Sequence, residues 1–369
     1  MSEEAHSLSS KAVPETAPPV VDYRPPMPAS RKHPIALIGA GGISSAHLDA
    51  YKRAGFLVKV IASRTLDHAV ARRDAFFPDA DATDDILGAI SRPDITVVDI
   101  TVHPEERAAL IEAALRAGKH VLSQKPFVLD LALGSRLADL SDQRGLMLAV
   151  NQNGRWAPHL AFMREAVRQG LVGKVQSVQI AMQWDHSWVV GTHHETVEDL
   201  VLYDFAIHWF DFLCSVIGPS AISVFASRAR APEQTARPPF LAQALVAFPN
   251  GQAALLFDAA TRFGSRDRTI ITGTSGTLES QGPDLGQQQL TYTNAAGFSH
   301  PPLTGTWFND GFAGTMGALL QAIETGRQPI HNGRDNLASL ALAFAAIASS
   351  RRGVAVVPGS IGSLAEASQ

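Results

Sequence analysis

Pro34-Ile35-Ala36-Leu37-Ile38-Gly39-Ala40-Gly41-Gly42-Ile43-Ser44 decides the fold of this chain. Ile35–Ile38 is a short, wholly apolar run, the pattern of a strand buried on both faces of a parallel sheet. The glycines that follow make a tight turn, and residues 43–54 continue as a helix. In such a turn the first glycine permits the bend and the second lets backbone approach a pyrophosphate. The third position must be small for helix-to-strand packing. Ser44 fills it, a mild departure from Gly or Ala. Free N–H groups at the helix start would hold phosphate. A glycine-rich turn alone is weak, but this one follows a strand, opens a helix and precedes a second strand at Leu57–Ala62. The stretch therefore predicts a dinucleotide site built on Gly39, Gly41, Gly42 and Ile43.

The same rhythm continues outward. Helices are expected over 66–76, 104–117 and 130–144, and strands at Ile95–Thr101, Lys119–Ser123 and Leu146–Asn151. This alternation predicts an α/β Rossmann domain with a doubly wound parallel sheet over residues 33–153. Beyond it the pattern changes. Helices are expected at 158–169 and 199–217, the latter stopped by Gly218-Pro219. Strands follow at Val175–Trp184, 221–229, 240–248, 252–259, 267–273 and 276–280, with a hairpin turn at Pro249-Asn250-Gly251. Helices at 311–325 and 335–350 come last. Residues 154–359 thus read as an α+β domain with a mostly antiparallel sheet. Residues 1–32, rich in Pro, Ser, Ala and Glu, read as a disordered tail, and 360–369 as a C-terminal tail. A docking arm on a partner subunit is the other reading of 1–32.

Composition excludes several classes. The chain has 369 residues and a formal net charge of −4, so no basic surface awaits nucleic acid or an anionic membrane. No segment is apolar for the ~18 residues of a membrane span, and the first thirty residues lack the apolar core of a secretory signal. The single cysteine, Cys214, rules out an intrachain disulfide and fits a reducing, cytoplasmic setting. Its apolar neighbours make it a core residue. His193-His194-Glu195 invites a zinc reading, but adjacent histidines on one element chelate poorly, so no metal is expected.

The residue that reads the adenosine ribose should end the second strand. That end is Ala62-Ser63-Arg64-Thr65, with no acid to bind a 2′-hydroxyl. Ser63 and Arg64 offer donors and positive charge, which favours NADP over NAD. Arg64 stacked on the adenine would serve either. At the end of the strand 119–123 stands Gln124-Lys125-Pro126, where ligands bind in open α/β sheets. Thr101 and His103 follow the strand before it and could line the nicotinamide site. Asn153 and Arg155 follow the last strand of the first domain. They could bind substrate oxygens or knit the domains together. Trp184 ends the long strand near Asp185, His186 and Trp188, a setting that suits a sugar or cyclitol face. In Asp204-Phe205-Ala206-Ile207-His208-Trp209-Phe210-Asp211, Asp204 and His208 are i and i+4 and share one helix face. A histidine between carboxylates can act as a general base; it can also be a satisfied core residue.

Together these motifs resemble the Gfo/Idh/MocA oxidoreductases, from about Pro34 to about Gly359. The turn at Gly39–Ser44 matches the family's cofactor loop. Gln124-Lys125-Pro126 matches its Glu-Lys-Pro motif with Gln for Glu. Asp204–Asp211 matches its Asp-x-Gly-x-His-x-x-Asp motif with Ala206 for glycine. The resemblance implies an NAD(P)-dependent dehydrogenase acting on a CH–OH group of a sugar, cyclitol or related polyol. Lys125 would position the hydroxyl and touch the nicotinamide ribose, beside Gln124. His208 would take the hydroxyl proton, and Asp204 would orient the substrate and tune His208. Asp211 would support them from behind. A homodimer or higher homo-oligomer, paired through the open face of the second sheet, is also implied. Two other activities share this signature: a redox-neutral elimination or glycoside cleavage with permanently held cofactor, and a non-catalytic dinucleotide sensor.

Overall fold

The structure is a computed structural model that describes residues 13–369. The first domain carries β1 (Ile35–Ile38), α1 (Ser44–Ala54), β2 (Val58–Ala62), α2 (Leu66–Phe76), β3 (Asp81–Thr83) and α3 (Ile86–Ser91). It continues with β4 (Val97–Ile100), α4 (Pro104–Arg116), β5 (His120–Ser123), α5 (Leu131–Gln143) and β6 (Leu148–Val150). The six strands pair in parallel in the order β3-β2-β1-β4-β5-β6. The order reverses between β1 and β4, so their carboxyl ends open a crevice at Gly39 and Thr101. Every residue of β1 and β4 is buried, as strands covered on both faces require. The sequence reading passed over β3 and α3. β3 has only three residues, one of them an exposed Asp81, and offers no apolar run to find.

The second domain adds α6 (Pro158–Arg168), β7 (Val175–Gln183), α7 (Ile207–Ile217), β8 (Ser223–Ala229), β9 (Leu241–Phe248), β10 (Gly251–Asp258) and β11 (Arg266–Gly273). It ends with β12 (Gly276–Asp284), β13 (Gln287–Asn294), β14 (Gly297–Ser299), α8 (Trp307–Thr325), α9 (Gly333–Arg352) and α10 (Leu364–Ala367). Its eight strands run β14-β13-β12-β11-β7-β10-β9-β8, antiparallel except where β10 meets β7. Buried and exposed residues alternate along β9 and β10, the mark of a sheet covered on one face. β12 runs past the expected stop at 280, and β13 and β14 lay unread because their polar faces hide the alternation.

The domains share a core. Phe312, Met316, Leu319 and Leu320 of α8 cluster with Leu48 and Tyr51 of α1 and with β-sheet residues Leu122 and Ala149. α8 therefore belongs to the second domain by sequence and to the first domain's sheet by packing. The bridge between Ala149 and Asn332 joins the domains again at β6.

Two expectations about the termini are corrected. Residues 13–32, read as part of a disordered tail, lie along the chain's own surface. Thr16 donates its N–H to the Phe298 carbonyl (2.7 Å). Tyr23 stacks near Phe162 at 5.7 Å, Val21 is buried, and the N–H groups of Ala29 and Ser30 bind Glu324 at 2.7 and 2.8 Å. Pro25 and Met27 pass so close to α8 that a Cβ at Gly314 or Gly317 would come within 3.0 Å of Pro25 or 2.7 Å of Met27. Low hydrophobicity predicts that a segment cannot build its own core; this one borrows a core already built. Residues 1–12, the rest of that expected tail, lie outside the described residues. Residues 360–369 are no free tail either. Gly362 and Leu364 bond the backbone at Leu131 and Leu129 (2.8 and 2.9 Å), and Ile361 and Ala367 are buried.

Candidate active site

A cleft of about 940 Å³ runs from the glycine turn to α7 and the start of α8. At one end lie Gly41, Gly42, Ile43 and Ser45. A Cβ on Gly41 or Gly42 would meet no protein atom within 4 Å, so the backbone of the turn is open to the cleft. Gly39 is different: its φ is +104°, and a Cβ there would stand 2.9 Å from Thr101 Oγ1. Only glycine makes that bend. Thr101 then closes the crevice by donating to the carbonyls of Ile38 (3.0 Å) and Gly39 (2.5 Å). Ser44, the small residue at the packing position, donates to Gly41 O at 2.6 Å. The open glycines, the helix start and the crevice at the strand-order reversal fit a dinucleotide pyrophosphate.

At the adenosine end, Ser63 is buried at the tip of β2. Arg64 is exposed and paired with Glu106 at 2.6 Å. A second arginine, unread in the sequence, stands nearer the turn: Arg72 of α2 donates to Ser44 Oγ (3.1 Å) and Gly41 O (3.2 Å). Nothing in a lone arginine within a helix marks this contact; it arises because α1 and α2 pack side by side.

At the other end Lys125 Nζ donates to Asp204 Oδ2 at 3.1 Å and to Asp204 O at 2.9 Å. The Lys125-Pro126 peptide is cis. Arg107, which the sequence reading also missed, braces this loop by donating to Pro126 O and to Val102 O at 2.7 Å. Gln124 takes the Lys125 N–H on its side-chain oxygen (2.7 Å) and turns its amide nitrogen to His47 Nε2 (3.0 Å). His47 Nδ1 faces Asp99 Oδ2 at 2.8 Å, and Tyr51 donates to the same oxygen at 2.7 Å. Asn151 Nδ2 reaches His47 Nε2 at 3.1 Å. With Nδ1–H assigned to Asp99, the one lone pair of Nε2 faces both amide N–H groups.

The expected helix over 199–217 is not uniform. Val201–Phe205 is a π-helical turn and α7 begins at Ile207. Asp204 and His208 are thus not a plain α-helical i, i+4 pair, yet both line the cleft. Such turns recur at functional sites. Burial, and then the Lys125 cation, hold the His208 imidazole well below the ordinary histidine range. Its ring is neutral near neutral pH and can accept a proton. Its Nδ1 is buried without a protein partner, and its ring meets Trp307 edge-on at 5.4 Å.

The structure brings Asn153, Trp184 and His103 to the cleft as well. His103 packs against His193 with tilted rings whose centres are 4.0 Å apart, and burial, followed by that neighbour's charge, lowers its pKa. Arg155 is not brought there. It grips Asp211 through two bonds of 2.6 and 2.9 Å, and Ser339 of α9 donates to the same carboxylate at 3.0 Å. Asp211 therefore ties α7 to α9 and to the turn at Arg155 inside the second domain, and does not bond His208. Its other contacts, the Ile330 carbonyl and Arg164, also lie within residues 154–359, so Arg155 ties the second domain together and does not link it to the first.

Further lining comes from His186, Trp188, His194, Phe205, Trp209 and Trp307. Most lie in the segments 184–198 and 296–310. His186 is pulled down to about 4 by burial. The wall is aromatic and neutral, apart from the braced cations and Asp49 and Asp204. Among the described residues no group of three His, Cys, Asp or Glu is placed to hold a metal, and no helix is long and apolar enough to cross a membrane.

Comparison with known proteins agrees with this geometry. A profile described as "Oxidoreductase family, NAD-binding Rossmann fold" matches residues 34–152, and the GFO/IDH/MocA C-terminal domain matches residues 160–279. The chain is 27% identical over 333 residues to inositol 2-dehydrogenase of Rhizobium meliloti, covering 85% of this chain and 96% of that one. It is 25% identical to D-apiose dehydrogenase of Paraburkholderia graminis, covering 86% and 88%. Among solved structures, an oxidoreductase from Agrobacterium radiobacter in complex with NAD+, L-tartaric acid and magnesium superposes with a TM-score of 0.81 at 20% identity. That match covers 89% of this chain and 99% of the other. Because the two family profiles together span most of the chain, through both domains, the chain belongs to the Gfo/Idh/MocA oxidoreductase family.

Proposed function

We propose that this protein is an NAD(P)-dependent dehydrogenase that moves hydride between a hydroxyl-bearing carbon of a neutral sugar, cyclitol or polyol and the nicotinamide. The observation that carries the reading is Lys125 and His208 in one cleft, the first held by Asp204 and the second neutral, beside open glycines. The dinucleotide supplies the hydride acceptor when bound. Gly41, Gly42 and the start of α1 hold its pyrophosphate, with Thr101, His103 and Gln124 toward its nicotinamide end. Lys125 donates to the substrate oxygen and keeps it oriented. His208, which burial and the Lys125 cation keep unprotonated, accepts the hydroxyl proton as the hydride leaves. Asp204 fixes the lysine and offers an acceptor to a neighbouring hydroxyl, and Asn153 and Trp184 complete the substrate wall. The relatives named for inositol and apiose are consistent with such a substrate, and no arginine in the cleft is free to bind a carboxylate or phosphate.

The absence of an acid at Ser63, with Arg64 and Arg72 nearby, supports NADP over NAD. The test of the mechanism is steady-state kinetics over a panel of sugars and polyols with both cofactors. His208→Ala and Lys125→Ala are each expected to lower kcat by roughly 10²–10⁴-fold while the cofactor still binds. Unchanged turnover in both variants would overturn the assignment.

A further inference from the structure

The two catalytic groups come from different domains. Lys125 follows β5 of the first, and His208 lies in the first turn of α7 in the second. Their separation is set where the domains meet. The tip of Lys125 is held by Asp204. That tip rides on a flexible stem, so the root of the side chain needs a hold of its own. The Gln124 side-chain oxygen supplies it by taking the Lys125 N–H at 2.7 Å. The Gln124 amide can do this only while it is kept from turning. Its nitrogen faces His47 Nε2 at 3.0 Å. The other nitrogen of that ring faces Asp99 Oδ2 of β4 at 2.8 Å, and Tyr51 donates to the same oxygen.

The far end of these contacts lies in the second domain. Asn151 Nδ2 is 3.1 Å from His47 Nε2, and Asn151 Oδ1 accepts from Thr315 of α8 at 2.7 Å. Phe312 of the same helix packs on the His47 ring at 4.7 Å. α8 opens with Trp307, whose indole meets His208 edge-on at 5.4 Å. One helix thus bears on His208 at its first turn and, further along, on the side chains that hold the root of Lys125. His47, Asp99, Asn151 and Thr315 are buried, and none of the four lines the cleft. Hydrogen bonds in such a buried network fix orientation, which apolar packing in the same places would not.

We propose that this network is a positioning device for catalysis: Thr315, Asn151, His47 and Asp99, acting through Gln124, set the root of Lys125 against His208 across the two domains. The inference rests on the dehydrogenase reading of Lys125, and a double-mutant cycle separates the two. His47→Ala and Lys125→Ala are made singly and together in the full chain. Turnover is measured at saturating cofactor with the sugar or polyol of the panel that reduces the dinucleotide fastest. His47→Ala is expected to lower kcat about ten- to hundredfold, the cost of a misplaced reacting group, while the dinucleotide binds as before. In the Lys125→Ala background the same change should cost less than about twofold, because the group it positions is gone. An unchanged kcat, or equal losses in both backgrounds, would overturn the positioning role and leave the dehydrogenase standing. Undiminished turnover in Lys125→Ala would overturn the dehydrogenase reading and the role with it. If His47→Ala does not fold, Thr315 decides. Thr315→Val exchanges the hydroxyl for a methyl group and is expected to lower kcat about two- to tenfold, and Thr315→Ser should restore it. Thr315→Val with kcat intact, whatever its thermal midpoint, would overturn the proposal.

Discussion

Gln124 stands where the family motif has a glutamate, directly before the lysine the mechanism needs. The surroundings explain the exchange. His47 gives its Nδ1–H to Asp99 and turns its Nε2 lone pair to two amides, so the residue at 124 must donate. A carboxylate at 124 would face an acceptor nitrogen, and His47 would have to take up a second proton in the protein core. Gln124→Glu is therefore expected to lower stability near neutral pH by about 1–3 kcal/mol. Thermal unfolding measures it, and an unchanged midpoint would show that His47 is not the acceptor described. At this scale the sequence displayed Lys125, Asp204 and His208 plainly, because each lies in a spaced motif. It did not display His47, Asp99 or Arg107. They meet the site only through packing, and a single His, Asp or Arg on an apolar element reads as any core residue. Arg155 shows the converse: a good position in the sequence, claimed by Asp211 in the fold.

Among the elements, α2 adds something the glycine turn alone does not. It carries Arg72 to Gly41 O and Ser44 Oγ and so sets a guanidinium at the glycine turn. Arg64 is engaged with Glu106, which leaves Arg72 the better placed to meet a 2′-phosphate. Arg72→Ala is expected to weaken NADP binding roughly ten- to hundredfold, the value of a charged hydrogen bond, and NAD binding far less. Fluorescence titration with both dinucleotides checks this, and equal losses would refute the phosphate contact. Strands with an apolar run and helices with caps were legible at this scale. The π-helical turn at Val201–Phe205 was not, since its residues keep the periodicity of the helix they interrupt. The start of α8 at Trp307 was also missed, because Trp307-Phe308-Asn309 follows a loop rich in Pro and Gly.

For the whole molecule, no segment among the described residues covers the outer face of the second sheet. Phe225, Leu245 and Leu256 lie on it, each more than two-fifths exposed, and Phe225 pairs with Leu245 across β8 and β9. Such a patch marks an association surface, and we propose that a second copy covers it. Light scattering at micromolar concentration should then give about twice the chain mass of 39.4 kDa, and Leu245→Glu should halve it. A monomeric wild type would contradict the pairing. The two-domain plan was readable from the switch between alternating βα units and a run of strands. The terminal segments were not, because composition reports what a segment can bury alone and says nothing of a groove supplied by the rest of the chain. Hydride transfer itself is tested most directly with a substrate that carries deuterium on the reacting carbon. The account predicts that the deuterium appears in the reduced nicotinamide in amounts equal to the oxidised product, and that His208→Ala slows its arrival. Product formed with no deuterated, reduced dinucleotide released would contradict it.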